Sequence, residues 1–162
     1  MEYKPEPKLH SGHIELAVVS LLNYRVYTIV PNISHGLLGL HEADLLCYNG
    51  KFTEVEIKIS ASDLKADFKK KHGHHHKYIS RLIYAMPLNL CEKYSDLIPK
   101  ENGIIAVSWN GFRYVARHYR QARHKKIQYE PSDQFISDFM RLGCMRIWSL
   151  KQKLYAKVNK PV

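Results

Sequence analysis

Apolar residues recur at helical spacing in "HIELAVVSLLN", where Ile14, Ala17, Val18, Leu21 and Leu22 share one side and Ser11 can cap the start. The period then shortens. "YRVYTIV" reads as a strand stopped by Pro31, and "PNISHGLLGL" as a glycine-bearing connection. "EADLLCY" and "KFTEVEIKI" alternate like two strands, joined across Asn49-Gly50. That dipeptide favours a tight hairpin whose two central residues both take positive φ. After Ser60 the helical period returns in "SASDLKADFKKKH", with Leu64 and Phe68 four apart, Ser60 or Ser62 as cap, and an end near Gly73. "KYISRLIYAM" is a further strand, and "PLNLCEKYSDLIPKENG" a short helix or irregular crossover. "GIIAVSW" and "FRYVARH" are strands about an Asn110-Gly111 turn. The remainder from Pro131 runs as one long or two short helices. This order predicts an α/β (α+β) fold, a mixed central sheet flanked by helices. Residues 1–11 read as a flexible arm and 12–162 as a single domain.

In the strand from Phe52 to Ser60, alternation sends Val55, Ile57 and Ile59 to one face and Glu54, Glu56, Lys58 and Ser60 to the other. The plain alternative is a solvated polar row on an edge strand. Asp44 shifts the balance, because a hairpin partner can bring it within about 5 Å of Glu56. Two carboxylates that close repel unless a proton or cation lies between them. Oxygen ligands of this kind suit Mg²⁺ or Mn²⁺, with water and substrate phosphate filling the remaining positions. Lys58 reaches the same face, where its ammonium can hold the attacking water, favour its hydroxide form or offset charge on the phosphate.

Asp44, the turn and then Glu56-Ile57-Lys58 resemble the signature of the PD-(D/E)XK nuclease superfamily. The resemblance implies a restriction-endonuclease-like core in the order αβββαβ, here followed by C-terminal strands and a helix. It also implies metal binding by Asp44 and Glu56, help from Lys58 in the attack by water, and Glu15 on the first helix as a third acid. "EIKISASDLKADFKK", "YAMP" and "IPKENGIIAVS" are further similar to the MmcB-like DNA-repair nucleases over roughly residues 42–108. Ile59 between Lys58 and Ser60, and Met86-Pro87 in place of Val-Pro, depart from that pattern. Ser60, Asp63 and Asp67 follow the motif as supporting candidates. For the two aspartates the competing reading is stabilisation of a helix terminus.

The net charge of +10, from 25 Lys and Arg against 15 Asp and Glu, favours a polyanionic partner. DNA is the expected one. The candidate phosphate contacts are Lys70, Lys71, Arg113, Arg117, Arg120, Arg123, Lys125 and Lys126, with a further basic scatter from Arg141 to Lys157. His72, His74, His75 and His76 lack the spacing of a specific zinc site and read as a phosphate-facing loop or an adventitious metal binder. His41 reads as a polar residue at a strand start. Cys47, Cys91 and Cys144 read as buried reduced thiols of a cytoplasmic protein. No apolar run approaches a membrane span. The expected activity is a Mg²⁺-dependent endodeoxyribonuclease. The rivals are a DNA-binding accessory that does not cut and an RNA-directed nuclease. A homodimer is compatible with cutting both strands of a duplex, though no feature demands one.

Overall fold

Six strands lie side by side in chain order in one sheet. This computed structural model describes residues 5–33, 37, 42–69, 76–127 and 129–158. The elements are α1 (Ser11–Leu22), β1 (Thr28–Ile33), β2 (Ala43–Tyr48), β3 (Phe52–Ile57), α2 (Ala61–Asp67), β4 (Ile79–Pro87), α3 (Leu88–Tyr94), β5 (Gly103–Trp109), β6 (Tyr114–Arg120) and α4 (Asp133–Val158). β1, β2 and β3 pair antiparallel, β3, β4 and β5 parallel, and β5 and β6 antiparallel. The mixed α/β sheet expected from the periodicity is the one observed.

Strand alternation divides the core into two faces. Leu45, Cys47, Val55, Ile57, Ile83, Ala85, Ile105 and Val107 pack against Ile14, Ala17 and Val18 of α1. On the opposite face Leu82, Tyr84, Met86 and Ala106 meet Leu64 of α2 and Cys91 of α3. Val30, Leu46 and Phe52 meet Phe139 of α4 on that same face. β3 is therefore central and buried along its whole length, so its polar row is no solvated edge.

Several local expectations change. Ser11 is the first helical residue rather than the cap; the backbone N–H of His10 donates to His13 Nδ1 instead. β1 starts only at Thr28, because Asn23 adopts φ 63° and turns the chain through residues 24–27. The strand continues through Pro31, which β1 tolerates as an edge strand, with one side of its backbone facing no partner strand. The β2–β3 turn holds three residues, Asn49, Gly50 and Lys51, since Tyr48 pairs with Phe52. Only Gly50 takes positive φ there, at 72°. α2 ends at Asp67, well before Gly73, which lies outside the described residues.

The last segment is one helix of 26 residues, about 39 Å long. Its first half packs on β1 and β3, whereas Ile147, Trp148, Leu150, Leu154 and Tyr155 are exposed. Residues 5–10, expected as part of a loose arm, lie against β6, where Tyr114 Oη donates to Glu6 Oε1 and to the Pro7 carbonyl. Cys47 and Cys91 are buried free thiols, but Cys144 is exposed on α4.

Candidate active site

Because β3, β4 and β5 run parallel, their C-terminal ends open on one rim of the sheet. Glu56 stands at that end of β3, paired with Tyr84 of β4. The chain continues through Lys58, whose N–H donates to the Ala85 carbonyl at 2.9 Å and holds the lysine in line with the strand. Both side chains are almost wholly buried, Glu56 at 3% and Lys58 at 4% exposure. Charges in such a place survive only if paired. Lys58 Nζ donates to Glu56 Oε2 at 2.8 Å and to Asp67 Oδ1 at 2.9 Å. Tyr84 Oη donates to the other Asp67 oxygen at 3.1 Å. Asp67 thus comes from the last turn of α2 to anchor the lysine.

Asp44 begins β2. The pairing of Leu45 with Val55 would continue to Asp44 opposite Glu56, but the ladder stops there. Instead Asp44 Oδ2 accepts the Ile57 N–H at 2.7 Å, so the carboxylate replaces the next backbone rung and is fixed beside the end of β3. Asp44, Glu56 and Lys58 line one cleft of about 490 Å³, together with Glu42, Asn32, Asp63 and Arg146. Arg146 comes from α4, and its Nη2 donates to the Asn32 carbonyl at 2.6 Å.

The electrostatics follow from this packing. Burial alone would lower the Lys58 pKa. The fields and hydrogen bonds of Glu56 and then Asp67 outweigh it, and the net shift is upward. Lys58 therefore stays an ammonium. Tyr84 is held protonated, first by burial and then by the Asp67 carboxylate. Glu15 on α1 has a raised pKa, from partial burial and then from the like charge of Asp44, which brings these two acids into one field. Among the described residues, no group of three or more His, Cys, Asp or Glu side chains is close enough to hold a metal ion as the side chains stand.

The supporting residues divide. Ser60 is the N-cap of α2, its Oγ accepting the Asp63 N–H at 3.1 Å, and Asp63 Oδ2 accepts the Ile59 N–H at 3.2 Å. Asp63 also reaches the cleft wall. Its first job is the helix start, the reading weighed against a functional one.

The basic candidates scatter. Arg113 sits in the β5–β6 turn and Arg117 is exposed on β6. Arg120 does something else: its guanidinium donates to the carbonyls of Asn102, Ser95, Ile98 and Pro99 and clamps the α3–β5 connection. Arg123 and Lys125 bond through their backbone N–H groups to Glu101 and Ser80, at the starts of β5 and β4. Five residues of strand separate Ser80 from Ala85, so these two and Lys126 lie roughly 17 Å from the cleft. Lys70, Lys71, His41, His72, His74 and His75 fall outside the described residues. His76 is within them, its ring stacked on Phe135 at 5.6 Å between centroids.

Tyr84 and Arg146 were not singled out in the sequence. Tyr84 had a weak signal, as a hydroxyl in the apolar second half of β4 on the same face as Glu56. Arg146 had only its place in the basic scatter from Arg141 to Lys157, lying about a hundred positions from the acids it joins.

No curated protein matches the chain. A solved structure of a protein of unknown function from Silicibacter pomeroyi shares 17% identity, covering 94% of this chain and 95% of the other with a TM-score of 0.65, which shows a common fold. Among the described residues no helix is long and apolar enough to cross a membrane. Residues 9–154 match the family described as DNA repair protein MmcB-like, and the chain belongs to that family.

Proposed function

We propose that this chain is a metal-dependent endonuclease of the PD-(D/E)XK type, hydrolysing DNA phosphodiester bonds in repair or processing. The observation that carries the reading is the burial of Glu56 and Lys58 at the end of β3, lining one cleft with Asp44. Membership of a DNA repair family and a net charge of +10 support DNA as the partner.

Asp44 and Glu56, with Glu15 beside them, would hold Mg²⁺ or Mn²⁺. Hard carboxylate oxygens are the donors those ions prefer. The repulsion between Glu15 and Asp44 is what a cation would relieve. When bound, the metal supplies Lewis-acid polarisation of the phosphate and a more acidic water. Lys58 contributes as a donor. Held protonated, it cannot take the proton of the attacking water; it orients that water and offsets charge developing on the phosphate. Asp67 and Tyr84 fix the lysine, and Arg146 supplies a cation for a phosphate oxygen at the cleft mouth. Arg113 and Arg117 are the exposed candidates for contacts further along the backbone.

The test is cleavage of supercoiled plasmid and branched DNA, with RNA alongside, in Mg²⁺ or Mn²⁺. Wild type is expected to nick or linearise DNA, and Asp44→Ala and Lys58→Ala to lose that activity. Equal activity in the variants would sink the assignment. A second reading, a DNA-binding accessory that does not cut, draws on Glu56 Oε2 being engaged by Lys58. Salt-sensitive, metal-independent binding with no product on any substrate would favour it.

A further inference from the structure

A second concavity, of about 590 Å³, opens between α1 and the β5–β6 turn. Four of its twelve lining residues carry aromatic rings, His13, Trp109, Phe112 and Tyr114, among aliphatic neighbours that include Leu16, Leu21 and Val115. His13 and Tyr114 stack at 5.0 Å between centroids, and Trp109 meets Tyr114 edge-on at 5.3 Å. Phe112 is 48% exposed at the tip of the turn, beside the exposed Arg113. The turn is stiff. Gly111 takes φ 95°, and Asn110 Oδ1 accepts the N–H groups of both Phe112 and Arg113 at 3.1 and 2.9 Å. The phenyl and guanidinium groups are thereby presented together.

The location matters as much as the composition. Trp109 ends β5, and β5 runs parallel to β3, so the groove opens at the same end of the sheet as Glu56 and Lys58. Two strand spacings across the sheet and five residues along it separate Trp109 from Glu56, roughly 19 Å. The groove lies on the α1 face, opposite the face that carries Glu56 and Lys58. α1 serves both places: His13 lines the groove, and two residues later Glu15 feels the field of Asp44. Flat rings beside one cation are the chemistry that holds an unstacked base and its phosphate, because every base offers a π-face. A paired duplex hides those faces inside its stack.

We propose that this groove holds unstacked bases of single-stranded DNA, with the strand passing round the rim of the sheet to the cleft, making single-stranded or branched DNA the substrate class of that cleft. The inference takes DNA as the partner from the functional reading above, but its test needs no cleavage. In a Trp148→Phe background, which leaves Trp109 as the reporting indole, oligo(dT) is titrated without divalent metal beside a blunt duplex of equal length. The expected result is a change of Trp109 emission with oligo(dT), and a tenfold or greater loss of oligo(dT) affinity in Phe112→Ala with duplex affinity held within about twofold. Phe112 is exposed, so its removal leaves the core intact. Unchanged emission, or equal losses for both DNAs, would overturn the proposal. If oligo(dT) binds as expected but no DNA is ever cut, the groove stands and the nuclease reading falls.

Discussion

Lys58 and Arg120 are both cations tied down by several hydrogen bonds, and they do opposite things. Lys58 is buried between two carboxylates at the mouth of a cleft. Arg120 spends its guanidinium on four backbone carbonyls three strands away, on the edge strand β6, where it holds a loop. Bond count does not separate the two. The acceptors do: carbonyl dipoles need a donor merely to be satisfied, whereas two buried carboxylates need a charge. Their arrangement is costly for stability and makes sense beside a reacting phosphate.

The sharpest break of this contrast is Lys58→Met. It leaves Glu56 and Asp67 buried without their cation, which costs about 3–5 kcal/mol in urea unfolding. DNA cleavage per folded molecule should fall about a hundredfold or more. Arg120→Ala comes next. Several carbonyls lose a charged donor, so stability should drop by about 2–3 kcal/mol while cleavage per folded molecule is unchanged. A loss of cleavage matching that of Lys58→Met would erase the distinction. Ser60→Ala removes the cap of α2 and should cost about 1 kcal/mol. Because α2 carries Asp67, a modest fall in cleavage should accompany it, reversed by Ser60→Asp.

Near neutral pH the smallest effect is a pH dependence. Burial pushes the Cys47 and Cys91 thiols up to about 12. Unfolded thiols ionise near about 8.5, so the folded state binds these protons more tightly. Their contribution to stability is full below that pH and fades as pH rises from about 8.5 toward 12. Urea midpoints measured across that range should decline, less steeply in Cys47→Ala. At pH 8 a thiol reagent should label the exposed Cys144 alone in the native protein.

Much of this contrast was readable in the sequence on one side only. Strand alternation placed Glu56 and Lys58 on one face, and a short turn brought Asp44 alongside even though the turn is a residue longer than its Asn-Gly suggested. β5 was legible in full because its apolar run is bounded by Gly103 and a turn. The start of β1 was not, since "YRVY" has strand-like composition but Asn23 turns the chain first. Arg120 read as a phosphate contact because its acceptors are backbone carbonyls, which leave no trace in side-chain identity. Arg146 was hidden for a related reason: only the packing of α4 against β1 brings it to the cleft.

The account rests on Asp44 and Glu56 holding a divalent metal beside Lys58. The most direct measurement is a crystal structure grown with Mn²⁺, read by its anomalous scattering. The account predicts a peak between the Asp44 and Glu56 carboxylates, absent in Asp44→Ala. Mn²⁺ bound only elsewhere, or those carboxylates found on opposite sides of the sheet, would contradict it.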